Sequence, residues 1–257
     1  MTDLVERLAA RAEDAGLNAS APPQQRWVDG WLVRFSPGKA KRARCINAVA
    51  RGQRALDDKI DYARALYAQA GLPLLVRITP FTRPAALETE LEARGMRRLD
   101  DTRVMIAPEL QGLAAPVWPR GLHVEAVGHH AFAQAVGELR GSPIAQRQAH
   151  AQRLELSPVP FHGLLLRNDG DLLACGQRAG GADLVGLYDV CTTPAQRGRG
   201  WAHGLCIELL RQARAEGARA AYLQVEADNT PARTLYTKLG FADAYAYHYR
   251  TGDPGAN

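Results

Sequence analysis

A chain of 257 residues with 46% apolar and 23% charged residues has the composition of an ordinary globular protein, long enough for one large domain or two small ones. No stretch approaches the roughly 18 consecutive apolar residues of a membrane span, which excludes a membrane partner and leads us to expect a cytoplasmic protein. The net charge is +5, and four scattered cysteines (Cys45, Cys175, Cys191, Cys206), with no Cys-x-x-Cys spacing, argue for reduced thiols rather than a disulfide scaffold or a metal centre.

The first stretch, MTDLVERLAARAEDAG, carries acids and no uninterrupted apolar run, so it reads as an amphipathic helix over about 3–15 rather than a signal peptide. WVDGWLVRFSPG (27–38) has the pattern of a hairpin. The following run, 39–54, holds Lys39, Lys41, Arg42, Arg44, Arg51 and Arg54 and no acid. Such a run can neutralise phosphates, but it has no aromatic side chain to stack on bases, so a solvated strand and loop is favoured over a nucleic-acid surface. A strand near 43–49, a helix over 56–71, the strand LLVRIT, a helix near 84–94 and the strand TRVMI complete this half. The Pro-punctuated segment APELQGLAAPVWPRG (107–121) then marks a linker.

Beyond it, LHVEAV is a strand, and 129–140 and 143–156 are helical. FHGLLLRN and DLLACGQRA are strands joined by Asn168-Asp169-Gly170, a strong hairpin turn. ADLVGLYDVCT is the next strand, 199–216 a helix, 220–227 a buried strand, 230–239 a helix opened by Asn229-Thr230-Pro231, and FADAYAYHYR the last strand. The two halves share a strand–helix–Gly–strand tail whose flanking glycines, Gly71 and Gly95, then Gly217 and Gly240, lie 24 and 23 residues apart, which suggests a weak internal repeat. His129 and His130 start a helix, and no His-x-x-x-His or Cys/His spacing supports a metal site.

The segment most charged with chemistry is TTPAQRGRGWA (192–202), which follows a strand and opens a helix. A helix N-terminus presents unpaired N–H groups and about half a positive charge. Gly198 and Gly200 let the backbone approach a ligand, while Arg197 and Arg199 add charge. This is the design of a phosphate cradle. It lacks the Gly-Lys-Ser/Thr of a P-loop, and a dinucleotide fingerprint would need glycine where His203 stands.

Arg197-Gly198-Arg199-Gly200-Trp201-Ala202 resembles the pyrophosphate motif Arg/Gln-x-x-Gly-x-Gly/Ala of the GNAT acyl-CoA N-acetyltransferases, and DNTPARTLYTKLGF (228–241) resembles that family's Asn-x-x-Ala-x-x-x-Tyr-x-x-x-Gly-Phe. The resemblance covers about 122–250 well. It implies an α/β fold with a mixed sheet flanked by helices, in two GNAT-like domains: a degenerate one over 1–112, a linker over 113–120 and a catalytic one over 121–252. It further implies that acetyl-CoA donates an acetyl group directly to the amine of a small molecule or peptide, with no metal; a homodimer is among the assemblies it allows.

Residue by residue, the resemblance implies that the backbone from Arg197 to Ala202 holds the CoA pyrophosphate. Val190, Cys191 and Thr192 would pair with the pantetheine arm, Asn229 would bond it, and Tyr236 would protonate the departing thiolate. Tyr236 alone reads equally as a helix aromatic packed on the sheet, and Asn229 as a helix cap. Family members often place a Glu as general base on the strand before the loop. Here the residues on that face are Leu184, Gly186 and Tyr188, so the candidates become Asp189, if a bulge turns it round, and Glu226. The missing obvious base leaves a non-catalytic acyl-CoA-binding module as the alternative. Leu91 stands where the second half has Tyr236, and the paired glycines are lacking there, so the first half is expected to bind no acetyl-CoA and to shape the acceptor site.

Overall fold

The computed structural model describes residues 3–255. They form two compact units: one of residues up to Ala19 with Val104–Val225 and Asn229–Ala244, the other of Ser20–Arg103 with Glu226–Asp228 and the chain from Tyr245. In chain order the first elements are α1 (Asp3–Ala19), β1 (Gln24–Val28), β2 (Trp31–Phe35), β3 (Ile46–Ala48), α2 (Leu56–Gln69), β4 (Val76–Ile78), α3 (Leu87–Ala93) and β5 (Arg97–Ala107). Then come β6 (Leu122–Val127), α4 (His129–Leu139), α5 (Ile144–Glu155), β7 (Phe161–Asn168), β8 (Asp171–Gly181) and β9 (Leu184–Thr192). The chain ends with α6 (Trp201–Ala215), β10 (Ala220–Glu226), α7 (Thr230–Lys238) and β11 (Ala242–Thr251). All the elements expected from the sequence are present, with ends shifted by a few residues and β5 markedly longer than its apolar TRVMI core.

In the unit that carries the glycine segment, β6, β7, β8 and β9 are antiparallel neighbours in that order, and β10 lies parallel to β9. The parallel step requires a crossover, and α6 supplies it. Its apolar positions Leu205, Leu209, Leu210 and Ala213 recur on one helical face and pack on Val185, Leu187, Ala221 and Leu223. Each such leucine, fully buried, contributes about 1.5–3 kcal/mol. On the opposite face α4 and α5 bring Phe132, Val136 and Leu154 onto Leu165 and Cys175.

The other unit repeats this plan in a smaller form. β1, β2 and β3 are antiparallel, β4 is parallel to β3 with α2 as the crossover, and β11 is antiparallel to β4. Trp31, Val33, Ile46, Ile60, Tyr67, Val76 and Leu91 form its core. Gly71 and Gly95 here, and Gly217 and Gly240 in the first unit, all have positive φ (65°, 72°, 107° and 84°) at helix ends, so the repeated glycines mark repeated turn geometry.

The units do not follow the expected cut between 1–112 and 121–252. α1 belongs with the second half of the chain: Ala9 and Ala12 are buried, Gly16 lies against the Gln224 and Tyr222 side chains, and Arg11 pairs with Asp183. The end of the chain belongs with the first half. Tyr249 sits opposite Arg77, the Thr251 hydroxyl donates to the Leu74 carbonyl at 2.8 Å, and Arg250 Nη2 donates to Glu88 at 2.6 Å. Helix amphipathicity and strand pattern say that an element exists, not which core its apolar face joins. The expected linker is no loose tether either, since the Leu110 N–H donates to the Arg219 carbonyl at 2.9 Å and the Trp118 ring lies where a Cβ on Gly204 would stand.

Candidate active site

β9 is paired with β10 only from Leu184↔Ala220 to Leu187↔Leu223, where that ladder ends. On its other edge β9 stays paired with β8 as far as Thr192↔Ala174. The stretch Tyr188–Thr192, which includes Val190, Cys191 and Thr192, is therefore held by one neighbour while its second edge parts from β10. The register slips at the same place. Gln177 faces Tyr188 and Cys175 faces Cys191, so Asp189 and Val190 together oppose Gly176 alone, and Asp189 has φ 52°. This is a β-bulge, the feature on which the sequence reading of Asp189 depended. Val190 turns toward α6, whereas Asp189 comes round to the face of Tyr188 and Gln177.

After β9 the chain is fastened by Thr193, whose hydroxyl donates to the Leu172 carbonyl at 2.7 Å. A 3-10 turn (Pro194–Gln196) leads to Gly198 and Gly200, with φ 75° and 84°. A Cβ built on either glycine meets nothing within 4 Å, so left-handed backbone, not crowding by the protein, is what demands glycine there. α6 then begins with no side chain capping it. Its first N–H groups have no intrahelical acceptor, and Arg197 and Arg199 are exposed beside them. Trp201 is half-buried on the core and points its Nε1–H at Gln196 (3.4 Å). An uncapped helix start, two left-handed glycines and two guanidiniums suit an anion that approaches the backbone closely.

Tyr236 lies on α7 with its ring in the core, 6.0 Å from the Phe241 ring in an edge-on arrangement. Its hydroxyl has no hydrogen-bond partner among the described residues. Burial pushes the phenol well above its ordinary value, nearby Cys206 adds to this, and Arg140 opposes it. Such a phenol holds its proton. Both readings of Asn229 meet a definite answer on one side: it is the α7 cap, its Oδ1 accepting from the Ala232 N–H at 3.2 Å, which leaves the amide N–H groups as donors.

Asp189 is not placed as a general base. Arg140 Nη1 donates to it at 2.7 Å and Gln177 Nε2 at 2.7 Å, with His150 at 3.4 Å. Burial on its own raises this carboxyl, but Arg140, His150 and Arg153 outweigh burial and hold it well below the ordinary carboxylate range. A carboxylate so stabilised accepts a proton poorly near neutral pH, and its bonds to Arg140 and Gln177 tie the bulge to α4 and β8. Glu226 is the exposed last residue of β10, and its carboxylate makes no hydrogen bond among the described residues. Sequence reasoning missed Arg140, Gln177 and His150, since nothing local ties the end of α4 to a strand 49 residues later. It missed also the Tyr188 and Tyr222 hydroxyls, which stand 2.5 Å apart.

Replacing Asp189 by Asn is expected to destabilise the fold by about 1–3 kcal/mol, because Arg140 loses its counter-charge. The pH dependence has a fixed sign. A carboxyl whose folded value is depressed stabilises fully above its unfolded value of about 3.9 and loses that contribution as pH falls toward the folded value. Urea unfolding at pH 7 and pH 3 therefore should show the gap between the native protein and the variant narrowing at the lower pH. A constant gap would mean that Asp189 is not held as an anion.

The corresponding connection in the other unit, β3 to α2, is closed by the protein itself. The Asp29 carboxylate accepts from the Gln53 and Arg54 N–H groups at 2.9 and 3.0 Å, which lowers its pKa, and a Cβ on Gly52 would strike it. Leu91 on α3, the counterpart of Tyr236, is fully buried in the core. Among the described residues no group of His, Cys, Asp or Glu is arranged to hold a metal ion, and no helix is long and apolar enough to cross a membrane.

Residues 133–241 match the model of the acetyltransferase (GNAT) family. A mycothiol acetyltransferase of Corynebacterium glutamicum (strain R) is 46% identical over 65 residues, 25% of this chain and 22% of that protein. A mycothiol acetyltransferase of Nocardia farcinica is 44% identical over 59 residues, so the alignment spans only about a fifth of these relatives' length. Among solved structures, a GCN5-related N-acetyltransferase from Kribbella flavida aligns over 96% of both chains with a TM-score of 0.70 and 19% identity. A tandem GNAT protein from the clavulanic acid biosynthesis pathway aligns over 98% of this chain and 94% of its own, with a TM-score of 0.67 and 17% identity. The fold likeness thus runs through both units, while the sequence likeness concentrates on the one that carries the glycine loop.

Proposed function

We propose that this chain, whose residues 133–241 match the GNAT acetyltransferase family, is an N-acetyltransferase that moves an acetyl group from acetyl-CoA directly to a primary amine of a small molecule or peptide. The observation that carries the reading is the coincidence, in one unit, of the parted edge of β9, the left-handed Gly198 and Gly200 before an uncapped α6, and the Tyr236 hydroxyl without a partner.

Acetyl-CoA supplies a thioester that an amine attacks, and the thiolate then leaves. The N–H groups from Arg197 to Ala202 hold the diphosphate, with Arg197 and Arg199 adding charge. Val190, Cys191 and Thr192 offer main-chain groups to the pantetheine arm, and Asn229 offers its amide N–H. Backbone donors aimed at a developing oxyanion are worth about 3 kcal/mol each in favourable cases. Tyr236 stays protonated until the sulfur leaves, then donates to it. A thiolate of ordinary pKa about 8.5 is a weaker base than this buried phenolate, so the phenol acts by donating a strong hydrogen bond to the sulfur as charge develops on it. Asp189 and Arg140 keep the bulge in shape. Glu226, whose carboxylate is not engaged, takes the proton that the ammonium form of the acceptor must lose.

Asp29 supports the expectation that the other unit binds no acetyl-CoA, because its carboxylate already sits on the N–H groups that a phosphate would use. Calorimetry with CoA should find one molecule per chain, and thiol release from acetyl-CoA should appear with some member of a panel of amines. Two CoA molecules per chain would remove the asymmetry between the units. Tight binding of one CoA with no turnover on any amine would favour a non-catalytic acyl-CoA-binding protein.

A further inference from the structure

Cys175 on β8 and Cys191 on β9 face each other directly in the antiparallel ladder, immediately beside the bulge. Opposed residues in such a ladder send their side chains to the same face with Cα atoms about 4.5–5.5 Å apart. A disulfide spans Cα separations of about 4.4–6.8 Å, so this pair can be bridged without moving the strands far. Both sulfurs lie under α4 and α5, on the face of Phe132 and Val136. The structure holds both as thiols: Cys175 is buried, Cys191 is half-buried. The Cys175 thiol donates to the Asp189 carbonyl at 3.5 Å, which ties it to the bulge residue itself.

The difference in exposure assigns an order to the chemistry. Cys191 is the less buried residue of the two, and so the one assigned to meet an outside reagent first, with Cys175 behind it. We propose that Cys175 and Cys191 are a redox-active dithiol, oxidised to a cross-strand disulfide by small-molecule disulfides. The Cys191 thiolate attacks one sulfur of the reagent RS–SR, forms Cys191–S–S–R and expels RS⁻, which takes up a proton. Cys175, whose thiol burial keeps protonated, attacks the Cys191 sulfur and passes its proton to the departing RS⁻, so the second RSH leaves. Two protein thiols are oxidised, and one disulfide is reduced to two thiols.

Closing the bridge draws the Cys175 sulfur away from the Asp189 carbonyl and fixes β8 to β9 at the point where β9 parts from β10. The effect on activity rests on the acetyl-transfer reading, since the strand so fixed is the one assigned to the pantetheine arm; the disulfide itself does not depend on it.

The test treats the full chain with excess oxidised glutathione, and in a parallel arm with CoA disulfide. Intact mass should fall by two hydrogens, non-reducing peptide mapping should recover a Cys175–Cys191 linked peptide, and thiol release from acetyl-CoA should be mostly lost and return with dithiothreitol. Cys175→Ser should stop at a mixed disulfide on Cys191, and Cys191→Ser should form neither. Mixed disulfides that never resolve, or links that join Cys45 or Cys206 as readily, would overturn the proposal. If the linked peptide forms in a protein that never released thiol from acetyl-CoA, the dithiol stands and the acetyl-transfer reading falls.

Discussion

Tyr236→Phe is expected to lower kcat by about 100-fold or more, with little change in the KM for acetyl-CoA, because it removes a proton donor used only as the thiolate departs. The substitution is unusually clean. The ring keeps its packing on Phe241 and the core, and the lost hydroxyl leaves no hydrogen-bonding partner behind among the described residues, so stability should change little. Burial, with Cys206 beside it, raises the phenol's pKa. The proton is therefore present throughout the neutral range, and the native enzyme should not lose activity through this group as pH rises toward 9. Steady-state thiol release by both proteins, with urea unfolding as the stability control, reads the effect. A kcat within a factor of a few of the native value would show that the thiolate takes its proton from elsewhere, and the role assigned to Tyr236 would have to be withdrawn.

Gly200→Val should weaken CoA binding by about tenfold or more, which corresponds to about 1.4 kcal/mol. Gly200 has φ 84° at the start of α6, where an L-residue costs about 1–2 kcal/mol and a β-branched one is a genuine outlier. Because a Cβ there would meet no protein atom within 4 Å, relaxation of the turn and the new side chain's position both act on whatever approaches the backbone. Gly217→Val is the control. Gly217 also has positive φ (107°) and open space for a Cβ, but it ends α6 rather than beginning it. Both variants should lose similar stability in thermal or urea unfolding, and only Gly200→Val should raise the Kd for CoA in calorimetry. Equal CoA affinities in the two variants would detach the glycine loop from cofactor binding.

Much of the fold and part of the site were legible in the residues. The Asn168-Asp169-Gly170 turn forecast the β7–β8 hairpin because Asp169 and Gly170 both take positive φ (47° and 96°). The pattern of 199–216 forecast α6, and Asn229-Thr230-Pro231 forecast the start of α7. The glycine segment was read as an anion cradle from residue types alone, and both of its glycines take left-handed backbone, with φ 75° and 84°. Asp189 was not legible in the same way. Strict alternation puts it on one face and a bulge on the other, and only the two-against-one register opposite Gly176 decides between them. Its three polar partners come from α4, α5 and β8, which no local pattern connects.

What this sequence determined by itself is therefore what depends on neighbours along the chain: the order of helices and strands, the hairpin turn at Asn168-Asp169-Gly170, and the helix start at Asn229-Thr230-Pro231. Those follow from backbone sterics and side-chain periodicity, which act over a few residues. The tertiary structure alone decided which unit α1 and the final strand join, how β9 parts from β10, and that Arg140, Gln177 and His150 converge on Asp189. Those outcomes turn on the competition of distant surfaces for burial and of distant charges for one another, and a linear pattern carries no record of which competitor prevails.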